Sequence, residues 1–139
     1  MGKINWGRVF LCGIVTGSVS ALLQLLVFFF ALPETEFAAA VEAARAGRPT
    51  VRALGLIVFF AVGILTIWLY AAIRPRYGPG PKTAVVAGFA VWLSGALVDI
   101  YWVDLRVTPF AFGALLAPLA VVLLAHIAAT LLGAWQYKE

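Results

Sequence analysis

Four long apolar runs, Val9 to Leu32, Ala53 to Ile73, Thr83 to Val103 and Phe110 to Trp135, fill most of a 139-residue chain and leave three short polar breaks between them. A hydrocarbon core about 30 Å thick is crossed by roughly 20 apolar residues in a helix. Helix is also the element whose backbone hydrogen bonds all close within one segment, which a bilayer demands. The sequence therefore predicts an all-α integral membrane protein, a four-helix bundle forming one domain over 1–139, with spans at about 8–32, 53–73, 82–103 and 109–135. Composition agrees: 64% hydrophobic residues, 12% charged residues and a mean hydropathy of +1.03 leave too much apolar surface for a water-soluble fold of this size to cover. So small a bundle has little interior of its own. The expected remedy is association, with further copies or with a partner membrane subunit.

Lys3 and Arg8 precede the first run as they would in a signal sequence. A cleavable signal has an apolar stretch of roughly 7 to 15 residues, whereas this run continues through Phe28, Phe29 and Phe30, so it is read as a retained helix. Basic residues near span ends stay on the cytoplasmic face. Lys3, Arg8, Arg74, Arg76, Lys82 and Lys138 fall on one side, six against the four of the other, Arg45, Arg48, Arg52 and Arg106. Both termini are thus expected in the cytoplasm. The net charge of +4 is scattered through loops and termini, which points to anionic lipid headgroups as counter-charge and not to nucleic acid.

The first break begins Glu34-Thr35-Glu36 and places Phe37 and Val41 four apart, the pattern of a short amphipathic helix at about 34–46 closed by Gly47 and Pro49. The second break, Arg74-Pro75-Arg76-Tyr77-Gly78-Pro79-Gly80-Pro81-Lys82, has the prolines and glycines of a rigid, helix-free reversal, with Pro81 opening the next helix. Arg74, Arg76 and Lys82 are candidate contacts for anionic lipid phosphates.

The string Trp68-Leu69-Tyr70-Ala71-Ala72-Ile73-Arg74-Pro75-Arg76-Tyr77-Gly78-Pro79-Gly80-Pro81-Lys82-Thr83-Ala84 resembles small, uncharacterised bacterial membrane proteins with four spans. The resemblance implies the bacterial cytoplasmic membrane as location and carries no activity, cofactor or catalytic residue with it. Small multidrug exporters, of similar size, need a carboxylate in the first span, where this chain has Gln24.

Polar residues within the spans are the best pointers to a site, because ionisable groups in hydrocarbon are costly and face cavities or other helices. Gln24 and Asp99 fall at similar depth toward the outer leaflet, and with Ser94, Tyr101, Trp102 and Arg106 they make a candidate polar vestibule. Asp99 could bind a cation or proton there, or hydrogen-bond Gln24 and hold two helices together. His126, the only histidine, lies nearer the inner face, level with Cys12, Thr16 and Thr66. It could ligate haem iron, or stand neutral against Thr66 or a backbone carbonyl. Cys12 reads as a small packing residue. The Gly13–Gly17 step, and small residues four apart at Ala84 and Gly88 and at Ala129 and Gly133, suit close helix contact inside the bundle. No catalytic, metal or cofactor motif stands out.

Three functions remain open. The favoured one is a non-enzymatic accessory subunit or lipid-contacting scaffold. The second is a homo-oligomeric transporter or channel lined by Asp99 and Gln24, and the third a haem-binding or other membrane enzyme using His126. The topology is checked with fusions: a fluorescent protein attached after Glu139 should fold and fluoresce, and alkaline phosphatase inserted at Gly47 should be active. The reverse pair of results would invert the orientation.

Overall fold

A computed structural model describes residues 4–31, 42, 46–47, 49–105 and 112–138, and side chains at 28, 31, 51–52, 98–105 and 112–118 are not part of that description. The described chain is helical: α1 spans Trp6–Ala31, α2 Pro49–Tyr77, α3 Pro81–Leu105 and α4 Phe112–Gln136. Among the described residues, α1, α2 and α4 each hold a stretch long and apolar enough to cross a membrane, and α3 carries a shorter apolar stretch, Pro81–Leu97. The amphipathic helix expected at about 34–46 and the start of the fourth span expected at about 109 fall on or chiefly on residues outside this description.

Local chemistry sets the helix ends. Asn5 caps α1, its side-chain oxygen accepting the Arg8 N–H at 3.1 Å and its carbonyl the Val9 N–H at 2.9 Å. Pro49 and Pro81 each occupy a first helical position, where a missing N–H is harmless. The helix-free reversal expected from Arg74 to Lys82 is corrected. Helix α2 continues through Pro75 to Tyr77, and the reversal is confined to Gly78–Gly80. Pro75 lies in the last turn, so its ring disturbs one bond near a terminus and interrupts no helix beyond it. Gly78, at φ 82°, then stops the helix while its N–H still reaches the Arg74 carbonyl at 2.8 Å. The Thr83 hydroxyl donates to the Gly78 carbonyl at 2.7 Å and ties α3 to the turn.

Helix α1 packs against α2 and α4, α3 packs against the same two, and α2 also meets α4 across the bundle. The closest approach is between α1 and α2. A Cβ on Gly63 would overlap the Gly13 carbonyl oxygen and lie 2.5 Å from the Gly17 nitrogen, so the two backbones touch. Gly133 on α4 meets Thr16 and Ile67, and Gly88 on α3 meets Thr130, so the small-residue steps lie inside the bundle.

The distribution of side chains is the inverse of a soluble bundle. The buried set is rich in small and polar residues, with Cys12, Ala87, Ala129, Thr16, Thr66 and Thr130 at or near zero exposure beside Val9, Ile67, Tyr70 and Tyr137, while Leu124 is 68% and Trp135 81% exposed. Thr16 and Thr130 donate to the carbonyls of Cys12 and His126, four residues back, at 2.9 and 2.7 Å, so their hydroxyls need no water. At one end, Asn5, Tyr137, Tyr70, Arg74 and Gly80 converge. The Asn5 N–H donates to the Tyr137 hydroxyl at 3.2 Å, the Tyr70 and Tyr137 rings meet edge to face at 6.0 Å, and the Arg74 guanidinium lies 5.8 Å from the Tyr137 ring centre. The start of α1, the end of α4 and the α2–α3 turn therefore share one face of the bundle.

Replacing Gly63 with Val should destabilise the bundle by about 1–3 kcal/mol, since neither backbone can retreat without unpacking α1 from α2. Gly95→Ala, where nothing lies within 4 Å, should be neutral or stabilising. Thermal unfolding in detergent compares the two.

Candidate functional site

The polar interior of the bundle is a chain of side chains centred on His126. Thr16, Ser20 and Gln24 stand four apart on α1 and so share one face, Thr66 comes from α2, and His126 projects from α4. His126 is buried, Nε2 lies 3.2 Å from Thr66 Oγ1, and Nδ1 makes a longer contact of 3.4 Å with Ser20 Oγ. Gln24 Nε2 donates to Ser20 Oγ at 3.0 Å.

The proton order follows from counting donors. Thr66 has one hydroxyl proton, and its 2.7 Å bond to the Val62 carbonyl uses it, so Oγ1 can only accept from His126 Nε2–H. In the neutral ring Nδ1 is then an acceptor, and it takes the Ser20 hydroxyl proton. Ser20 in turn accepts from Gln24, which also fixes the orientation of that amide. One directional series results, from Gln24 through Ser20, His126 and Thr66 to the Val62 carbonyl. It joins α1, α4 and α2, and an unpaired polar group at its buried centre would be costly.

Both ring nitrogens are thus engaged. Ligation of haem iron, which needs a ring lone pair, would displace Ser20 from Nδ1. Among the described residues no group of three or more His, Cys, Asp or Glu side chains is placed to hold a metal ion.

The series borders a cleft of about 110 Å³ between α1 and α2. Gly17 and Gly63 form part of its lining at the level of the backbone crossing, Val58, Phe59 and Val62 supply apolar wall, and Ser20, Gln24 and His126 the polar part. The space exists because helices held in contact at the glycines carry side chains again one to two turns further on.

The candidate vestibule divides. Gln24 joins Ser20 and the His126 series, whereas Ser94 is exposed and donates to the Ala90 carbonyl of its own helix at 3.0 Å. Asp99, Tyr101 and Trp102 belong to the α3 backbone, but their side chains, like the whole of Arg106, lie outside the described residues. Of the basic candidates, Arg76 and Lys82 are exposed and Arg74 is half-buried over Tyr137. Thr66 stands beside His126, one of the two arrangements open from sequence. Ser20 was not singled out, although its place between Thr16 and Gln24 on one helical face carries the signal.

Comparison with protein-family models, with curated proteins and with solved structures gives no match to this chain.

Thr66→Val strips the acceptor from His126 Nε2–H and should destabilise the fold by about 1–3 kcal/mol. In the unsubstituted protein, nitrogen NMR should report the proton on Nε2 and a pyridine-type Nδ1; the opposite tautomer would refute the assigned order.

Proposed function

We infer that this chain is an integral protein of the bacterial cytoplasmic membrane with four spans and both termini in the cytoplasm. It works by association, as an accessory subunit or lipid-contacting scaffold. The observation that carries this reading is the outward apolar surface: Leu22, Leu25, Leu56, Leu124 and Trp135 face outward over an interior rich in Gly, Ala, Thr, Ser and Cys that also holds Val9, Ile67, Tyr70 and Tyr137. Such a surface suits lipid or the apolar flank of another membrane helix. The shared face of the start of α1, the end of α4 and the α2–α3 turn supports a common side for Arg8, Arg76, Lys82 and Lys138, as the positive-inside rule asks. Arg76 and Lys82 are exposed there for anionic headgroups, while Arg74 braces the end of the bundle against Tyr137.

The His126 series supports association over chemistry. Both ring nitrogens of His126 are paired within it, so it serves as a fastening between α1, α2 and α4, and the ring is not held ready for a substrate.

Native mass spectrometry of protein extracted gently from its own membranes tests the reading. A second polypeptide or a tightly held anionic phospholipid at fixed stoichiometry is expected. A bare homo-oligomer whose proteoliposomes show a flux abolished by Asp99→Asn would contradict it in favour of transport.

A further inference from the structure

The cleft above the glycine crossing has three properties that together define an occupant. Among the described residues it is lined by no Asp, Glu, Lys or Arg. It is deep: His126 lies about 15 Å along α4 from the helix end at Gln136, near the middle of a bilayer if α4 spans one. And among its described polar groups, Ser20, Gln24 and His126, unpaired hydrogen-bonding capacity lies at Gln24 alone. Gln24 gives one N–H to Ser20, and among the described residues its Oε1 and its second N–H have no partner.

A phospholipid headgroup cannot reach that depth without carrying charge into hydrocarbon. A water could meet the Gln24 amide, but it would leave the apolar wall of Val58, Phe59 and Val62 uncovered. An uncharged lipid head that both donates and accepts a hydrogen bond matches every property. Its hydroxyl proton goes to Gln24 Oε1, its oxygen or a neighbouring ester carbonyl takes the Gln24 N–H, and its chains follow the outward apolar faces of α1 and α2. The volume of about 110 Å³ is of the order of cavities that hold one small ring, enough for a head and not for chains.

The geometry points to a binding site in the α1–α2 cleft, at Gln24 and beside His126, for the uncharged hydroxyl-bearing head of a bilayer-dissolved lipid such as a diacylglycerol or a long-chain prenol. The site rests on the membrane placement inferred above and adds to it a ligand class.

The test is native mass spectrometry of the full chain, purified in detergent and titrated with 1,2-dioleoylglycerol, its 3-acetyl derivative, and farnesol. Two variants accompany it: Gln24→Leu, which removes the amide, and Val58→Trp, which fills the cleft from an exposed position outside the hydrogen-bonded series. One molecule of dioleoylglycerol or farnesol should bind per chain, and whichever binds identifies the source. Both variants should weaken it roughly tenfold or more, as loss of two hydrogen bonds or of the space requires, and the acetylated lipid should bind as weakly as the variants allow. Equal binding of the acetylated lipid, unchanged binding in Val58→Trp, or no lipid adduct at all would overturn the site. Resistance of the same protein to alkaline extraction from membranes reads out the placement separately, so failure of the ligand and failure of the membrane reading are told apart.

Discussion

The backbone contact between α1 and α2 at Gly13, Gly17 and Gly63 is the constraint on which the rest of the bundle depends. Between helices in lipid, burying leucine gains little, because the tails outside are as apolar as the side chains inside. What remains is close packing, and that is greatest where there is no side chain to hold the backbones apart. The Gly13 carbonyl oxygen and the Gly17 backbone occupy the space a Gly63 side chain would need. With that crossing fixed, α4 can lay Gly133 against Thr16, and His126 arrives between Ser20 and Thr66.

The hydrogen-bond series from Gln24 to Val62 is a second, dependent layer. Serine, threonine, glutamine and histidine could each pair with water in a soluble protein. In this buried interior they pair with one another, and the direction of every bond is set by the single proton of Thr66. The series adds specificity to packing that small residues alone leave loosely defined, since alternative registers of α4 would leave an imidazole nitrogen unpaired. It also brings the end of the Gln24 side chain to the cleft beside the glycine crossing.

Much of this was legible in the sequence, for physical reasons. Apolar runs of bilayer length announce helices without any periodicity, and the Gly13–Gly17 step announced a close crossing. Pro81 opened its helix as expected. Arg74 to Tyr77 was misread because a proline inside a string of turn residues looks like a stop, yet a final helical turn tolerates it. His126 and Thr66 were matched by depth counted from the span ends. Ser20 escaped because depth counting treats helices as parallel rods, while α1 stands in backbone contact with α2 and meets His126 one turn beyond the expected level. The grouping of Gln24 with Asp99 rests on depth, and the Asp99 side chain lies outside the described residues. The pairing of Gln24 with Ser20 is a matter of face, fixed by their spacing of four.

The inverted distribution of side chains is the central claim, and spin labels placed singly along α1 measure it directly. Labels at residues 16 and 20 should be screened from both dissolved oxygen and a water-soluble nickel chelate, and labels at 22, 25 and 29 should be open to oxygen alone. Access of the nickel chelate to 22 and 25, with 16 and 20 no better screened than they are, would place the leucine face in water and contradict the account.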